Sequence, residues 1–279
     1  IVDLMADAAR HGATWRSVAH AADARSARLA GQPLALDWKT TDRARTIDFP
    51  GYAYVRATSE VSGTEYIRYD EHVPQVWRVP LYETLVPAVT ATVPAAGYLV
   101  PAAQADRVQP LLDLHGIAYR RIDHALAGQP VLAWRMSKAV FAAAPFEGRQ
   151  RLQAEGGWRP ERADLVAGAL FVPGDQPLAR LVVALLEPAA PDSLLAWGQF
   201  NAMFEAKEYM ESYVAEDVAR EQLRDPALAA EFAAKLKDPA FAADPRARLA
   251  FFIRRHPSWE RELDLYPVYR LETPPGPAR

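Results

Sequence analysis

The sequence predicts an α+β fold: an N-terminal helix, a β-rich mixed domain with a strand–helix–strand unit, and a helical C-terminal part. Three observations predict it: an Ala- and Arg-rich opening of helical period, a stretch of β-branched and aromatic runs, and repeated Asp-Pro pairs near the end. At 279 residues and 50% apolar, the chain can bury a sizeable core. We divide it into residues 1–32, 33–190 and 191–279.

Composition excludes several classes of function. A formal net charge of -3, with no basic stripe interleaved with aromatics, predicts no nucleic-acid partner. The absence of cysteine excludes disulfides, thiolate zinc sites and a cysteine nucleophile. The longest apolar runs, such as LARLVVALL at 178–186, are too short to cross a bilayer, so we predict no membrane span.

Residues 3–29 are predicted to form one amphipathic helix. Its apolar positions recur near helical period and are Leu4, Ala8, His11, Trp15 and Val18. Gly31-Gln32-Pro33 is predicted to end it. This helix forms the first segment, 1–32.

Residues 34–95 are predicted to be β-rich. The runs LALDW, RTIDF, YAYVRA and TEYIRY are separated by Pro50-Gly51 and Ser62-Gly63. Further prolines at 74, 80, 87 and 94 favour edge strands and extended connections over helices.

A strand–helix–strand unit follows. The pattern predicts a strand over Tyr98–Val100 and a helix from about Ala103 to His115, with Gly116 as a left-handed C-terminal cap. The runs VLAWRMSKAVFAA and RLQAEGGW predict two more strands, with a turn or bulge at Gly156-Gly157.

The C-terminal part is predicted to be helical from Ser193. Later helices are predicted to start at three Asp-Pro pairs, because Asp caps a helix N-terminus and Pro suits its first position; these pairs are 225–226, 238–239 and 244–245. The tail from Tyr266 is predicted to be extended.

No motif for catalysis or metal binding stands out. None of the six histidines begins a His-x-x-Glu or pairs with another at i+4, and the serine-nucleophile, phosphate-loop and dinucleotide-loop patterns are absent. We therefore predict no catalytic residue, no metal ligand and no cofactor in this chain.

One stretch raises the question of a site, namely SLLAWGQFNAMFEAKEYMESYVAED at 193–217. Glu205, Glu208 and Glu211 follow each other at three-residue spacing on a predicted helix that also carries Trp197. Carboxylate-bridged metal bundles need Glu-x-x-His from other helices, and the chain has none. A solvated, salt-bridged face is the simplest interpretation. We retain these four residues as candidates for a domain-contact or groove surface.

Several segments together resemble a known family. They are GYLVP at 97–101, LHGI at 114–117, APFEGRQR at 144–151, the stretch at 170–214, and ARLAFFIRRHPSWE with YPVYR near the end. This ordered series resembles the C-terminal region of bacterial zinc carboxypeptidase-like proteins, which are related to carboxypeptidase A. The resemblance covers nearly the whole chain.

The resemblance implies a role without catalysis. The family's zinc ligands, a His-x-x-Glu and a later His, and its glutamate base belong to a peptidase domain that precedes the region matched here. We therefore expect this chain, which starts at Ile1 and not at Met, to be an inactive accessory region. It would pack on the upstream peptidase domain of the same polypeptide and shape the cleft for its peptide substrate. Zinc in the parent protein and a periplasmic or secreted location are implied by the resemblance alone.

Two alternatives stay open. The chain could be a free-standing module that binds peptides or cell-wall fragments, with only an ancestral relation to peptidases. It could also be a hydrolase that uses carboxylates undetected among its 35 acidic residues, with activity that persists in chelator.

Overall fold

The computed structural model describes residues 1–205 and 210–276, and its fold is α+β with an N-terminal helix, as the sequence predicts. The helices are α1 (Val2–Ser26), α2 (Ala102–His115), α3 (Ala179–Leu186), α4 (Ser212–Gln222), α5 (Pro226–Lys235), α6 (Pro239–Ala243) and α7 (Pro245–Ile253). The strands are β1 (Pro33–Thr40), β2 (Arg45–Thr58), β3 (Glu65–Leu81), β4 (Leu85–Thr92), β5 (Gly97–Val100), β6 (Arg120–Arg121), β7 (Leu126–Phe141), β8 (Leu152–Leu165), β9 (Leu170–Pro173) and β10 (Tyr269–Leu271).

The first four strands form a long two-stranded arm. Strand β1 pairs with β4 and strand β2 pairs with β3, both antiparallel. We call the β2–β3 pair the ribbon; its turn contains Gly63 at φ +70°. Strand β2 runs straight through Pro50-Gly51, where the sequence predicted a break. Gly51 is needed there because a Cβ would overlap the indole ring of Trp77.

The remaining strands form a six-stranded sheet in the order β6-β9-β5-β10-β7-β8. Strands β5 and β6 flank β9, each antiparallel to it, so β5-α2-β6 is a split β-α-β unit. Gly116 caps α2 in the left-handed conformation at φ 66°, as predicted. The C-terminal strand β10 lies between β5 and β7 and joins the two halves of the sheet.

Residue alternation along these strands creates two separate cores. One face of the sheet contributes Tyr98, Val100 and Trp134, which pack with side chains of α2, α3 and the segment that follows α3. The other face contributes Leu99, Val131 and other residues to a smaller cluster. The first face is therefore the thickly covered one.

A buried ion pair lies within the larger core. The carboxylate of Glu187, 2% exposed, accepts from Nε and Nη2 of Arg270 at 3.0 and 2.6 Å. It also accepts from Trp158 Nε1 and from the Tyr98 hydroxyl, each at 3.1 Å. Burial nevertheless raises the pKa of Glu187, although Arg270 lowers it. Desolvation is thus only partly offset, which makes this carboxylate dependent on every donor around it.

The Asp-Pro pairs start helices as predicted. The side chains of Asp225, Asp238 and Asp244 each accept a hydrogen bond from a backbone N–H two residues later. Each following proline occupies the first turn of its helix. The helices pack around a small cluster in which the rings of Phe232 and Phe252 lie 4.7 Å apart.

The predicted continuous helix from Ser193 is wrong. Residues 193–200 form turns, and a short 3₁₀ helix covers Asn201–Phe204 before α4 begins at Ser212. Gly198 adopts φ +70°, and a Cβ there would overlap the carbonyl oxygen of Gln150. The chain therefore reverses at a glycine that the β7–β8 hairpin approaches closely, a tertiary contact that helical periodicity cannot reveal.

We expect Arg270→Met to destabilise the fold by roughly 3–5 kcal/mol near neutral pH, because it leaves the buried carboxylate of Glu187 without its cationic partner. A group whose folded pKa is raised contributes stability at low pH that is lost as pH rises through that pKa. Without Arg270 the pKa of Glu187 rises further. The loss in free energy of unfolding should therefore shrink as the pH approaches the ordinary glutamate value of 4.5. Urea unfolding at several pH values measures this free energy. Adding Glu187→Gln should restore much of the stability at neutral pH; a double variant as unstable as Arg270→Met would contradict the assignment.

Candidate functional site

Trp197 lies in the turn segment, half-buried, beside the β7–β8 hairpin. Its indole N–H donates to Asp192 Oδ1 at 3.0 Å, and the guanidinium carbon of Arg151 lies 4.8 Å from its ring centroid. The ring of Phe146 lies 6.1 Å away. Trp197 therefore fixes the segment after α3 to the hairpin, a structural contact that also leaves part of the indole exposed.

The predicted glutamates do not form a wall with Trp197 on one helix. Glu205 is exposed directly after the 3₁₀ helix, and Glu211 is the exposed N-cap residue of α4. Glu208 lies outside the described residues. Because the chain turns at Gly198, the helical spacing that grouped Trp197 with the glutamates does not apply.

A groove of about 770 Å³ does lie next to Trp197. Its walls are mainly small apolar residues from β4, from the distal β7–β8 hairpin and from the segment 188–191. Arg151 is its one charged lining residue within the described chain, and that guanidinium already contacts Trp197 and donates to the carbonyl of Pro191 at 3.1 Å. The groove thus offers little free polar chemistry.

The ribbon carries a cluster of exposed aromatic side chains. The Trp77 ring centroid lies 6.3 Å from that of Phe49, 5.8 Å from that of Tyr54 and 6.1 Å from that of Tyr69. These distances are typical of interacting aromatic pairs. Phe49, Tyr54 and Tyr69 remain 48%, 47% and 51% exposed. We call this side of the ribbon the aromatic face.

Aliphatic side chains extend the aromatic face toward the base of the ribbon. Ile47 pairs with Val79 and Phe49 pairs with Trp77, and directly paired residues of antiparallel strands share one face. The opposite face carries Thr46, Asp48 and Pro80 at the same level. Near its base the ribbon therefore has an apolar side and a more polar one, and no described element covers the apolar side.

Helix α1 also presents an uncovered apolar stripe. The predicted helical period is present, but Leu4, Trp15 and Val18 are 71%, 51% and 60% exposed. Ser26, in the last turn, is the one buried residue of this helix. The helix ends there, before Gly31, so the sequence predicted its end several residues late.

The total accessible surface is larger than that of a compact chain of the same mass. A compact monomer of 30.9 kDa should expose about 12,000 Å² by the usual mass scaling. The chain exposes 18334 Å². The excess, roughly half of the expected surface, arises from extended elements such as the ribbon and α1 that have little packed against them.

Three further findings bear on function. Across residues 1–205 and 210–276, no group of three or more His, Asp or Glu side chains is arranged to hold a metal ion. None of the described helices combines the length and apolar character needed to cross a membrane. Comparison with protein-family models, curated proteins and solved structures finds no match to this chain.

Sequence reasoning identified the strands of the ribbon but not its role. The alternation of Ile47 and Phe49 with polar neighbours predicts a strand with one apolar face. Such a pattern normally indicates a face packed on the core. Only the structure shows that this face points away from both cores of the sheet.

We expect Trp197→Ala to reduce the free energy of unfolding by only about 1–2 kcal/mol, since the indole is half-buried and part of its contact is with Arg151. Phe200→Ala is the matched comparison: that ring is 2% exposed, and its loss should cost about 3–5 kcal/mol. Urea unfolding of both variants measures the difference. Equal losses would mean that Trp197 is a core residue.

Proposed function

We propose that the chain is a non-catalytic accessory region of a zinc carboxypeptidase-like protein, and that it docks on the peptidase domain through the aromatic face of the ribbon. The observation that carries this proposal is a two-stranded ribbon whose apolar face is uncovered. The family is suggested by the sequence resemblance alone. The uncovered apolar face supports the proposed mode of action, which is packing on another domain.

A ribbon of this kind is poorly suited to exist without a partner. An isolated two-stranded hairpin is marginally stable in water, and a third strand or a packed face is usually required. Strand β2, with 14 residues, is roughly 45 Å long, and no third strand lies beside it in the described chain. Covering its apolar face would add about 25 cal/mol for each Å² removed from water.

The partner should cover the face of the ribbon, not extend its edge. Pro50, Pro74 and Pro80 lie within the two strands and lack the N–H that an added strand would need. Edge prolines are a common means of preventing strand addition. A face-on contact leaves those edges free and buries Phe49 and Trp77 together.

Helix α1 supplies a second contact in this proposal. Its apolar stripe, Leu4, Trp15 and Val18, is about as wide as the face that a helix normally packs against a neighbouring helix or sheet. The ribbon is long enough to follow one side of a substrate cleft on the peptidase domain, which is how it would shape access for a peptide. The described residues contain no ligand set for the zinc, so we derive no chemical step through it.

Footprinting tests the docking face. In the full-length polypeptide, hydroxyl-radical labelling of Phe49, Tyr54 and Tyr69 should fall at least fivefold relative to this chain alone, because docking removes these rings from water. Tyr52 and Tyr66 provide matched controls, each 43% exposed. Alternation puts Tyr52 on the opposite side from Phe49 before the register shift at 52–53, and Tyr66 on the opposite side from Tyr69 after it. Their labelling should change little.

Two results would count against the proposal. Protection of Tyr52 and Tyr66 instead, or of neither set, would show that the aromatic face is not the docking surface. A gene with no His-x-x-Glu encoded upstream of Ile1 would falsify the relation to a zinc peptidase.

A further inference from the structure

The second face of the six-stranded sheet holds a cleft of about 390 Å³. It lies over β7, β8 and β10, opposite the face that contains Glu187, and the segment 261–267 forms one rim. Val131, Leu165 and Leu265 supply an apolar part of its lining. We call it the sheet cleft; its volume falls within the range of small-molecule sites.

A rigid ion pair forms one wall of the sheet cleft. Arg135 donates from Nε and Nη2 to the two carboxylate oxygens of Glu161 at 3.0 and 2.9 Å. Its Nη1 also donates to the backbone carbonyl of Arg261 at 2.7 Å. Because the guanidinium is held by three hydrogen bonds, its remaining N–H groups keep fixed directions toward a ligand.

Tyr269 is the largely buried aromatic residue of the cleft, and its hydroxyl is its polar group. The residue is 7% exposed and lines the cleft, and its hydroxyl has no hydrogen-bond partner among residues 1–205 and 210–276. Burial, with a smaller contribution from Glu262, raises the pKa of Tyr269 to about 12, so the hydroxyl stays protonated as a donor. The hydroxyl is not among the fully buried polar atoms that lack a partner in the described chain. It is therefore open to the cleft, where a bound molecule would supply an acceptor.

The charges around the cleft balance. Three cationic and three anionic side chains line it: Arg135, Arg162, Arg261, Glu161, Asp164 and Glu262. Arg135 and Glu161 neutralise each other. Arg162 donates to the carbonyl of Gly128 at 2.8 Å, and Asp164 accepts from the N–H of Gly128 at 2.6 Å, which leaves Arg261 and Glu262 near the mouth. A ligand with both signs of charge complements this arrangement better than a simple anion or cation does. Tyr269 is the one aromatic residue of the lining and is buried, so the cleft lacks an exposed ring on which a sugar would stack.

We propose that the sheet cleft binds a small zwitterion, a free amino acid or unprotected dipeptide, whose carboxylate meets Arg261 and whose ammonium meets Glu262. The apolar part of the lining would receive an aliphatic side chain. The Tyr269 hydroxyl would donate to the ligand from the floor. This inference does not rest on the proposed docking, because the cleft and the aromatic face share no residue.

Calorimetric titration of this chain tests the proposal with L-leucine and Ala-Leu as probes. At least one of the two should bind saturably. N-acetyl-Ala-Leu and Ala-Leu amide should each bind the site at least tenfold more weakly, since each lacks one charge. Binding of N-acetylglucosamine in preference to both zwitterions would overturn the proposal, as would equal affinity for the capped and uncapped peptides or no binding up to about 10 mM.

Substitutions in the lining test whether the probes bind in the sheet cleft. Tyr269→Phe should weaken binding roughly fivefold through loss of one hydrogen bond. It should leave the thermal midpoint unchanged, because the hydroxyl has no partner in the described chain. Glu262→Gln should weaken binding of the uncapped probe, whose ammonium Glu262 would meet. It should not change binding of the acetylated probe, which has no ammonium. Glu83→Gln, on the arm where Glu83 pairs with Arg45 at 3.0 Å, is the matched control and should bind normally. Unchanged binding by both cleft variants would overturn the assignment.

Discussion

The ion pair between Glu187 and Arg270 connects parts of the chain that are distant in sequence. Glu187 follows α3, whereas Arg270 lies in β10, 83 residues later. Among the described strands, β10 alone lies between β5 and β7, so its position decides whether the sheet is one unit or two. A one-residue slip of β10 would move Arg270 to the other face of the sheet and leave the buried carboxylate without its cation. The pair therefore specifies where the C-terminal strand inserts, even if apolar residues there would be as stabilising.

A sheet held together in this way can support an arm that makes few contacts of its own. Leu34 and Val93, at the base of the arm, are 5% and 1% exposed and belong to the larger core. Beyond them the strands run outward as a pair. The anchoring of this base, not packing along its length, holds the ribbon in place. The same separation leaves the aromatic face uncovered while the core stays complete.

Local signals in the sequence predicted much of this fold, and long-range contacts account for what they missed. Asp244 and Gly116 cap helices through contacts within a few residues, so their roles follow from the sequence. Gly198 turns the chain because the Gln150 carbonyl approaches it from another hairpin, and no periodicity reveals that contact. The grouping of Trp197 and Glu211 on one helix was wrong for the same reason, since Gly198 interrupts that helix.

The shape of the ribbon is set before any partner arrives. Between Tyr52 and Ala53 the register shifts so that three extra residues, 71–73, lie on β3. The aromatic cluster spans this bulge, with Tyr54 and Tyr69 on one side and Phe49 on the other, all around Trp77. Gly51 leaves space for the indole to lie against the backbone. Docking would then order few additional side chains, and a preformed face loses less entropy on binding. An aromatic face that is both exposed and internally packed is thus suited to the docking proposed for it.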